Sequence, residues 1–504
     1  MQIAGSSPPT ERHDLRRSLH GPRQAQMNPK ESYRSPLETR YGSAAMRKIW
    51  SPQRKFSTWR RLWLALAEAQ RELGLNITPQ QIDELRTHLD DIDYESAAKY
   101  EADLHHDVMA HIHALGDVAP AARPIIHLGA TSQFVNCNTE LILIRDSLQL
   151  IAIRVARVVD ALGAFATKYR ELPTLGLTHL QPAQPTTVGK RAAVWAYDFA
   201  IALEEVEYRL ETLRFRGAKG ATGTQASFLR LFDGEPEKVE QLDKLITQKM
   251  GWPSERRYVV TGQTYPRLVD AQVLNTLAVT AAAVHKYCND IRLLASRAEI
   301  LEPFEDEQIG SSAMPHKRNP MLCERATGLA RFVMAMAPNA LNTAATQWLE
   351  RTLDDSANRR LSLPESFLAL DAALEVVHQV TRGLVVCEET IRANLMAELP
   401  FLAGENILIG AVTQGADRQE AHKILRRHSR AAAERIRTQR GPNDLLERLR
   451  REPMFAKVDL DAALELSAMI GLAPRQVDRL IEQVVEPIRL RYAEKLQEKA
   501  EVGV

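Results

Sequence analysis

The strongest constraint on the fold is a set of five unusually long helical stretches in the middle of the chain. Apolar residues recur at helical spacing through the stretches that run roughly over residues 138–170, 186–216, 266–301, 320–348 and 356–386. Loops that contain glycine or proline separate them. Each stretch is far longer than a typical globular helix. Rods of this length that run side by side predict a helix bundle.

The apolar residues also wrap widely around these helices, as Val273, Leu277 and Val284 illustrate. One buried face per helix does not account for so much apolar surface, so we expect a second face to be buried between subunits. No convincing strand alternation is present. The predicted fold class is all-α, with a long central helix bundle between two smaller helical domains. The expected parts are a disordered tail over residues 1–30, an N-terminal helical domain over 31–131, the bundle domain over 132–386 and a C-terminal helical domain over 387–504.

Composition excludes several classes of protein. Lys and Arg number 65 against 64 Asp and Glu, so there is no basic excess to attract nucleic acid or an anionic membrane. No apolar run reaches the length of a membrane span, and the four cysteines form no C-x-x-C pair. We therefore expect a cytoplasmic enzyme. The first 30 residues lack periodicity, which predicts disorder, and Met27 is an alternative start.

The loop from Gly310 to Pro320, with the sequence GSSAMPHKRNP, concentrates hydroxyls and a cation beside a predicted helix start. Asn319 is expected to be the N-cap and Pro320 the first helical residue, so that the free N–H groups of the helix would attract an anion. The pattern G-S-x-x-M-P-x-K-x-N resembles the signature of the fumarase, aspartase and argininosuccinate lyase superfamily, whose members eliminate fumarate. The alternative is an ordinary surface turn between two helices.

A second motif, TLGLTHLQPAQPTT over residues 174–187, places His179 in the loop before the second long helix. A histidine holds a proton near neutral pH and releases it readily, as protonation of a leaving group requires. The resemblance implies that His179 is the general acid and that Thr178 binds substrate. The alternative is a histidine that only hydrogen-bonds its own turn.

A third cluster, HDVMAHIH over residues 106–113, places Asp107 and His111 four residues apart on one helix, so a metal pair is conceivable. No further ligand pattern accompanies them. The resemblance implies instead that His106 and Asp107 serve catalysis and substrate binding without a metal ion.

Four further segments resemble the adenylosuccinate lyase family within this superfamily: GATS at 129–132, KGATGTQ at 219–225, TGQTY at 261–265 and TLDDSANRR at 352–360. The resemblance covers about residues 36–406. It implies a nucleotide substrate, no cofactor, and a homotetramer in which the five-helix units form a twenty-helix core with shared active sites. The implied substrate-binding residues are Arg40, Tyr41, Asp107, Thr131, Ser132, Thr178, Gln263, Ser312, Asn319, Arg325, Arg351, Ser356 and Arg360.

The resemblance also implies the chemistry, in which a base removes a weakly acidic C–H proton next to a carboxylate. Ser311 is the implied base, and its alkoxide needs Lys317 and the following helix start for stabilisation. Glu324 or Asp107 would tune the charge of His179. The two loop hydroxyls point in different directions, so one can face the substrate while the other bonds the loop backbone. The resemblance selects Ser311, with Ser312 as the fallback.

Two alternatives stay open at this point. A sister lyase, such as argininosuccinate lyase, would be expected to lack Arg40-Tyr41 and the cluster from Arg351 to Arg360. A non-catalytic helical scaffold would not need to keep His179, Ser311 and Lys317 together.

Overall fold

The computed structural model describes residues 31–305 and 307–496. The predicted disordered tail and the alternative start at Met27 lie outside these residues. Among the described residues, five α-helices precede the bundle: α1 Ala44–Ile49, α2 Pro52–Glu72, α3 Pro79–Thr87, α4 Tyr94–Leu104 and α5 Asp107–Val118. Local capping explains several of their starts. The Ser51 hydroxyl accepts the backbone N–H of Arg54 at 3.2 Å, one turn into α2.

The long helices of the bundle are confirmed, as is the all-α fold class. Seven helices make up this part of the chain: α6 Ser132–Lys168, α7 Val188–Thr212, α8 Ala226–Leu231, α9 Pro236–Lys249, α10 Leu268–Ser296, α11 Met321–Ala345 and α12 Asp354–Gly383. Helix α10 packs against α7, α11 and α12, and α6 packs against α7 and α12. One continuous apolar core runs through these helices and reaches α2 and α5.

A β-hairpin interrupts the helical pattern where the sequence predicted only a loop. Strand β1, Pro173–Thr178, pairs antiparallel with β2, Gln181–Thr187. The sequence signal is weak because Pro182 and Pro185 interrupt β2, and proline has no N–H to donate to a ladder. The hairpin packs against the C-terminal part of the chain. A second pairing joins the two-residue strands β3, Ile300–Leu301, and β4, Val385–Val386.

Eight helices follow the bundle: α13 Glu388–Leu402, α14 Gly404–Thr413, α15 Arg418–Gln439, α16 Leu445–Arg450, α17 Leu466–Met469, α18 Ala473–Leu480, α19 Glu486–Arg491 and α20 Ala493–Leu496. Side chains from residues 403–463 form a second apolar core of their own. Residues such as Val477 and Ile488 join the core of the bundle instead. The predicted domain boundaries stay predictions.

Two stretches of the described chain are long and apolar enough to cross a membrane by length and composition alone, which corrects the expectation that none is. They are Leu268–Ser296 and Glu388–Thr413. The first is the central helix of the bundle, and more than half of its apolar window is buried in the protein. The second consists of two helices that meet at Ala403.

Candidate active site

The starts of α5 and α6 lie side by side and bring four predicted site residues together. His106 is the N-cap of α5, and its Nε2 lies 3.2 Å from the Oγ of Ser132, the first residue of α6. His106 Nδ1 accepts the backbone N–H of Met109 at 3.3 Å, which places the ring proton on Nε2. The buried hydroxyl of Thr131 has no hydrogen-bond partner within the described residues. Two adjacent helix N-termini favour an anionic ligand.

Arg360 joins this arrangement from α12. Its Nη2 lies 3.3 Å from the Oδ2 of Asp107, and its side chain is 62% exposed, so it remains accessible to a ligand. Arg351, Ser356 and Arg360 line one cavity. We call these residues the helix-start group: His106, Asp107, Thr131, Ser132, Arg351, Ser356 and Arg360.

Gln263 is fixed in a loop beside this group. Its backbone N–H donates to the carbonyl of Glu350 at 3.1 Å, and its side-chain amide donates to the carbonyl of Ala221 at 3.0 Å. Because Glu350 precedes Arg351 in the chain, these bonds hold the 261–265 segment next to the helix-start group.

Buried ion pairs support the wall of the cavity. Arg359 has a side chain that is only 5% exposed, and its guanidinium lies 2.6 Å from Asp270 and 2.8 Å from Glu140. Successive helical residues project about 100° apart. Arg359 therefore ties α12 to α10 and α6, whereas its neighbour Arg360 points outward to the cavity.

The surroundings of His111 do not favour the metal pair with Asp107 that the sequence left as a conceivable alternative, because the ring of His111 packs against an aromatic side chain. It stacks on Phe56 with ring centroids 3.8 Å apart. Burial lowers the pKa of His111 to about 4, and the charges of Arg60 and Lys55 add to this effect. No group of three His, Cys, Asp or Glu residues in the described chain is placed to hold a metal ion.

The start of α11 differs from the sequence prediction. The helix begins at Met321, and the residue at its N-cap position, Pro320, makes no capping bond with its own side chain. Asn319 was expected to be the N-cap, but its Nδ2 donates to the carbonyl of Gly310 at 2.7 Å and closes the base of the signature loop, residues 310–320. A Cβ on Gly310 would lie 2.1 Å from the carbonyl oxygen of Lys317, so the loop ends approach too closely for any other residue.

The sequence predicted that an anion would bind at the start of α11. In the structure, the side chain of Glu302 occupies this position. Its Oε1 and Oε2 accept the backbone N–H groups of Leu322 and Cys323, both at 3.0 Å. Burial raises the pKa of Glu302, and the two N–H groups oppose that shift. Because these N–H groups already have a partner, they are not available to stabilise the Ser311 alkoxide as the sequence analysis expected.

The two serines of the signature loop differ in their surroundings. Ser311 Oγ accepts the backbone N–H of Ala313 at 3.3 Å and of Met314 at 3.1 Å, whereas Ser312 is exposed. Ser311 is thus the serine that bonds the loop backbone. The expectation that the base is the serine without such a bond would select Ser312 and not Ser311. Two N–H donors nevertheless stabilise the anionic form of the oxygen that they contact.

Three predicted substrate-binding residues meet at the first turn of α11. The guanidinium carbon of Arg325 lies 5.9 Å from the centroid of the Tyr41 ring, and that of Arg40 lies 5.9 Å from the same centroid. Two guanidinium groups therefore lie within cation–π range of one aromatic ring, and one of them belongs to α11, the helix that follows the signature loop.

His179 occupies the tip of the β-hairpin in a strained conformation. Thr178 pairs with Gln181, so His179 and Leu180 form a two-residue loop, with φ of 54° and 56°. These values fit a type I′ turn, where asparagine and glycine are strongly preferred. A non-glycine residue there costs roughly 1–2 kcal/mol. Both side chains are exposed, and strain of this kind is typical of functional positions.

Direct polar contacts do not join these three parts within the described residues of one chain. Among residues 31–305 and 307–496, no hydrogen bond or ion pair joins the hairpin tip, the signature loop and the helix-start group to one another. Glu324, expected to tune His179, instead lies 3.8 Å from Arg292 on α10. The candidate acid and base therefore have no direct contact within one chain.

Three residues of the site were not anticipated from the sequence. Glu302 caps α11, and Lys55 lines the cavity of the helix-start group. His127 Nδ1 accepts the indole N–H of Trp63 at 2.9 Å, and burial, with the charge of His106, lowers its pKa to about 4. Only His127 had a usable sequence signal, because it lies two residues before the GATS segment.

Comparisons with known proteins place this geometry in a family. A family model described as "Lyase" matches residues 41–335, and one described as "Adenylosuccinate lyase C-terminus" matches residues 400–480. The adenylosuccinate lyase of Schistosoma mansoni is 47% identical over 92% of this chain and 98% of its own length. The chain belongs to the adenylosuccinate lyase family. It is therefore a lyase, and the alternative of a non-catalytic scaffold is set aside.

Further relatives agree with membership of the adenylosuccinate lyase family. The adenylosuccinate lyase of Schizosaccharomyces pombe is 46% identical over 94% of this chain and 99% of its own length. Among solved structures, 3-carboxy-cis,cis-muconate lactonizing enzyme from Pseudomonas putida is similar with a TM-score of 0.78 and 24% identity, and covers 90% of this chain and 99% of its own. At that identity the likeness shows the shared fold alone.

The buried, neutral state of His111 predicts acid sensitivity. An unfolded histidine has a pKa near 6.5, whereas that of folded His111 is about 4. Below pH 6.5 the unfolded chain binds a proton that the folded chain does not, so stability falls as the pH falls toward 4. His111→Phe, which can keep the stack on Phe56, should flatten this part of the curve of urea midpoint against pH. The exposed His422→Phe is the control, and an unchanged slope in His111→Phe would contradict the assignment.

Proposed function

We propose that this chain eliminates fumarate from adenylosuccinate, giving AMP, and from succinylaminoimidazole carboxamide ribotide, giving aminoimidazole carboxamide ribotide, in purine biosynthesis. The observation that carries the proposal is the match to a curated adenylosuccinate lyase over 92% of this chain and 98% of the relative. The cations of the site support it, since a substrate with a phosphate and two carboxylates needs several of them.

In the proposed mechanism, Ser311 removes a proton from the succinyl carbon next to a carboxylate. The electron pair passes into that carboxylate as an aci-carboxylate dianion, which nearby cations and N–H donors stabilise. The electron pair of the dianion then forms the C=C bond of fumarate while the C–N bond breaks. The C–N electron pair goes to the leaving nitrogen, which is the exocyclic amino nitrogen of the purine in adenylosuccinate and the carboxamide nitrogen in the ribotide, and His179 protonates that nitrogen. Lys317 and the N–H groups of Ala313 and Met314 support the Ser311 alkoxide. His106 positions the substrate through Ser132, 3.2 Å away.

We assign substrate binding to the side chains that surround these groups, and we propose no cofactor. The cations and aromatic ring beside the signature loop would hold one anionic end of the substrate, and the helix-start group the other. The residues assigned to substrate binding are Arg40, Tyr41, Asp107, Thr131, Ser132, Thr178, Gln263, Ser312, Asn319, Arg325, Arg351, Ser356 and Arg360.

We also propose that the protein is a homotetramer in the cytoplasm, with active sites shared between subunits and no nucleic-acid or membrane partner. The lack of a hydrogen bond between His179 and Ser311 among the described residues is consistent with shared sites. An exposed apolar row on α7, formed by Val194, Tyr197 and Ile201, recurs at i, i+3 and i+7 and suits burial against another long helix. Four such five-helix units would form the twenty-helix core.

The first test is turnover. The wild-type chain should release fumarate from both succinylated nucleotides, followed by the change in absorbance, and His179→Gln should lower kcat by about 10²–10⁴-fold, as loss of a positioned proton donor does. Circular dichroism checks that the variant is folded. Release of fumarate from argininosuccinate but from neither nucleotide would assign the chain to the sister lyase.

The second prediction separates the two serines. Ser311→Ala should lower kcat far more than it weakens substrate binding, because the anion-binding side chains remain. Ser312→Ala should be the milder variant, and Lys317→Met should lose both turnover and binding. A Ser312→Ala enzyme with lower kcat than Ser311→Ala would transfer the role of base to Ser312.

The third prediction follows from the shared site. Mixed oligomers that contain inactive His179→Ala chains and inactive Ser311→Ala chains should regain part of the activity, because some sites then combine an intact His179 with an intact Ser311. Each variant alone, taken through the same dissociation and reassembly, is the control. Mixed oligomers that are verified by mass spectrometry yet show no recovery would mean that one chain supplies both groups.

A further inference from the structure

The cavity of the helix-start group contains a cation with no assigned role. Lys55, on α2, lines this cavity together with Arg351, Ser356 and Arg360. The three partners are candidate substrate-binding residues, but they come from a segment nearly 300 residues further along the chain. Lys55 therefore reaches the same space from a different element.

The surroundings of Lys55 suit an ammonium that is held ready for an anion. Its Nζ lies 4.9 Å from the ring centroid of Trp59 and 5.1 Å from that of Phe56. These rings attract the cation without neutralising its charge. No ion pair within 4.0 Å involves Lys55 in the part of the chain that the structure describes. Burial lowers the pKa of Lys55, and Arg360 acts in the same direction.

The carboxylates that line the cavity are already paired with other cations. Glu140 lies 2.8 Å from Arg359, and Asp355 lies 2.7 Å from Arg267. The buried Nη1 atoms of Arg267 and Arg351 have no hydrogen-bond partner within the described residues. Five basic residues line this cavity against two acidic ones, so the cavity favours an anion.

We propose that Lys55 is a further substrate-binding residue, whose ammonium pairs with an anionic group of the nucleotide substrate in this cavity. The proposal rests on the function proposed above. The anion is the phosphate or a carboxylate of the succinyl group, since an ammonium recognises both. The rings of Phe56 and Trp59 hold the ammonium of Lys55 in place before the ligand binds. Binding therefore costs little conformational entropy of this long side chain.

The test compares Lys55→Met, Lys55→Arg and the control Lys99→Met in the full-length oligomer. Lys99 is a matched lysine on α4, with a 72% exposed side chain paired with Glu95 at 3.0 Å. Calorimetry measures the binding of AMP, adenosine and fumarate, and steady-state assays give KM and kcat. Lys55→Met should keep the wild-type unfolding midpoint, because methionine preserves the packing on Trp59, and should raise KM with a much smaller change in kcat. Lys55→Arg should recover most of the affinity.

The ligands identify the anion. Loss of about tenfold or more in AMP affinity, with adenosine unchanged, supports the proposal and assigns the phosphate. The same loss for fumarate supports it and assigns a succinyl carboxylate. Equal loss for AMP and adenosine with fumarate unchanged, or no loss for any ligand, overturns it. Fumarate release by the wild-type chain is measured separately, so failure of the proposed function remains distinguishable from failure of the role of Lys55.

Discussion

The buried guanidinium of Arg359 is the interaction on which the active-site cavity depends. It ties α12 to Asp270 of α10 at 2.6 Å and to Glu140 of α6 at 2.8 Å, and the Tyr265 hydroxyl donates to Asp270 at 2.6 Å. Breaking a buried pair of this kind costs about 3–5 kcal/mol, because the remaining charge stays buried. Because Arg359, Asp270 and Glu140 belong to three different helices, these contacts fix the positions of α12, α10 and α6 relative to one another. They do so next to Arg360, which lines the cavity.

Each candidate catalytic group is then positioned by a local backbone feature. His106 is held as an N-cap, Ser311 by the N–H groups of its own loop, and His179 by a strained hairpin turn. Such local features set orientation within one element, but they do not bring elements together. In the proposed tetramer, the packing of whole subunits would bring acid and base together, and the exposed apolar row on α7 suits such packing.

Features that depend on local periodicity, such as the long helices, can be predicted from this sequence. Features that depend on residues distant in the chain cannot. The long helices follow from apolar spacing, and the largest difference among their starts is that α6 begins at Ser132 and not near residue 138. Asp107 and Arg360, each predicted from a family segment to bind substrate, lie 3.3 Å apart. The hairpin was hidden by its prolines. The prediction that Asn319 is the N-cap was wrong, because Glu302 accepts the first N–H groups of α11. Capping patterns consider only residues next to the helix start, and Glu302 lies nearly 20 residues before it. Lys55 carries no local signal, since only the folded cavity distinguishes it from an ordinary helix lysine.

The position of Glu302 outside the signature loop has a dynamic consequence. A helix that is capped by a residue of the preceding loop would lose its cap when that loop moved. The cap of α11 is Glu302, which lies outside the signature loop, so movement of the loop does not remove it. We therefore expect the loop and the helix to open with different free energies. The amides of Leu322 and Cys323 should remain slow in hydrogen exchange even while the amides of residues 312–318 exchange quickly. Movement of the loop would then leave the start of α11 and the bundle behind it intact.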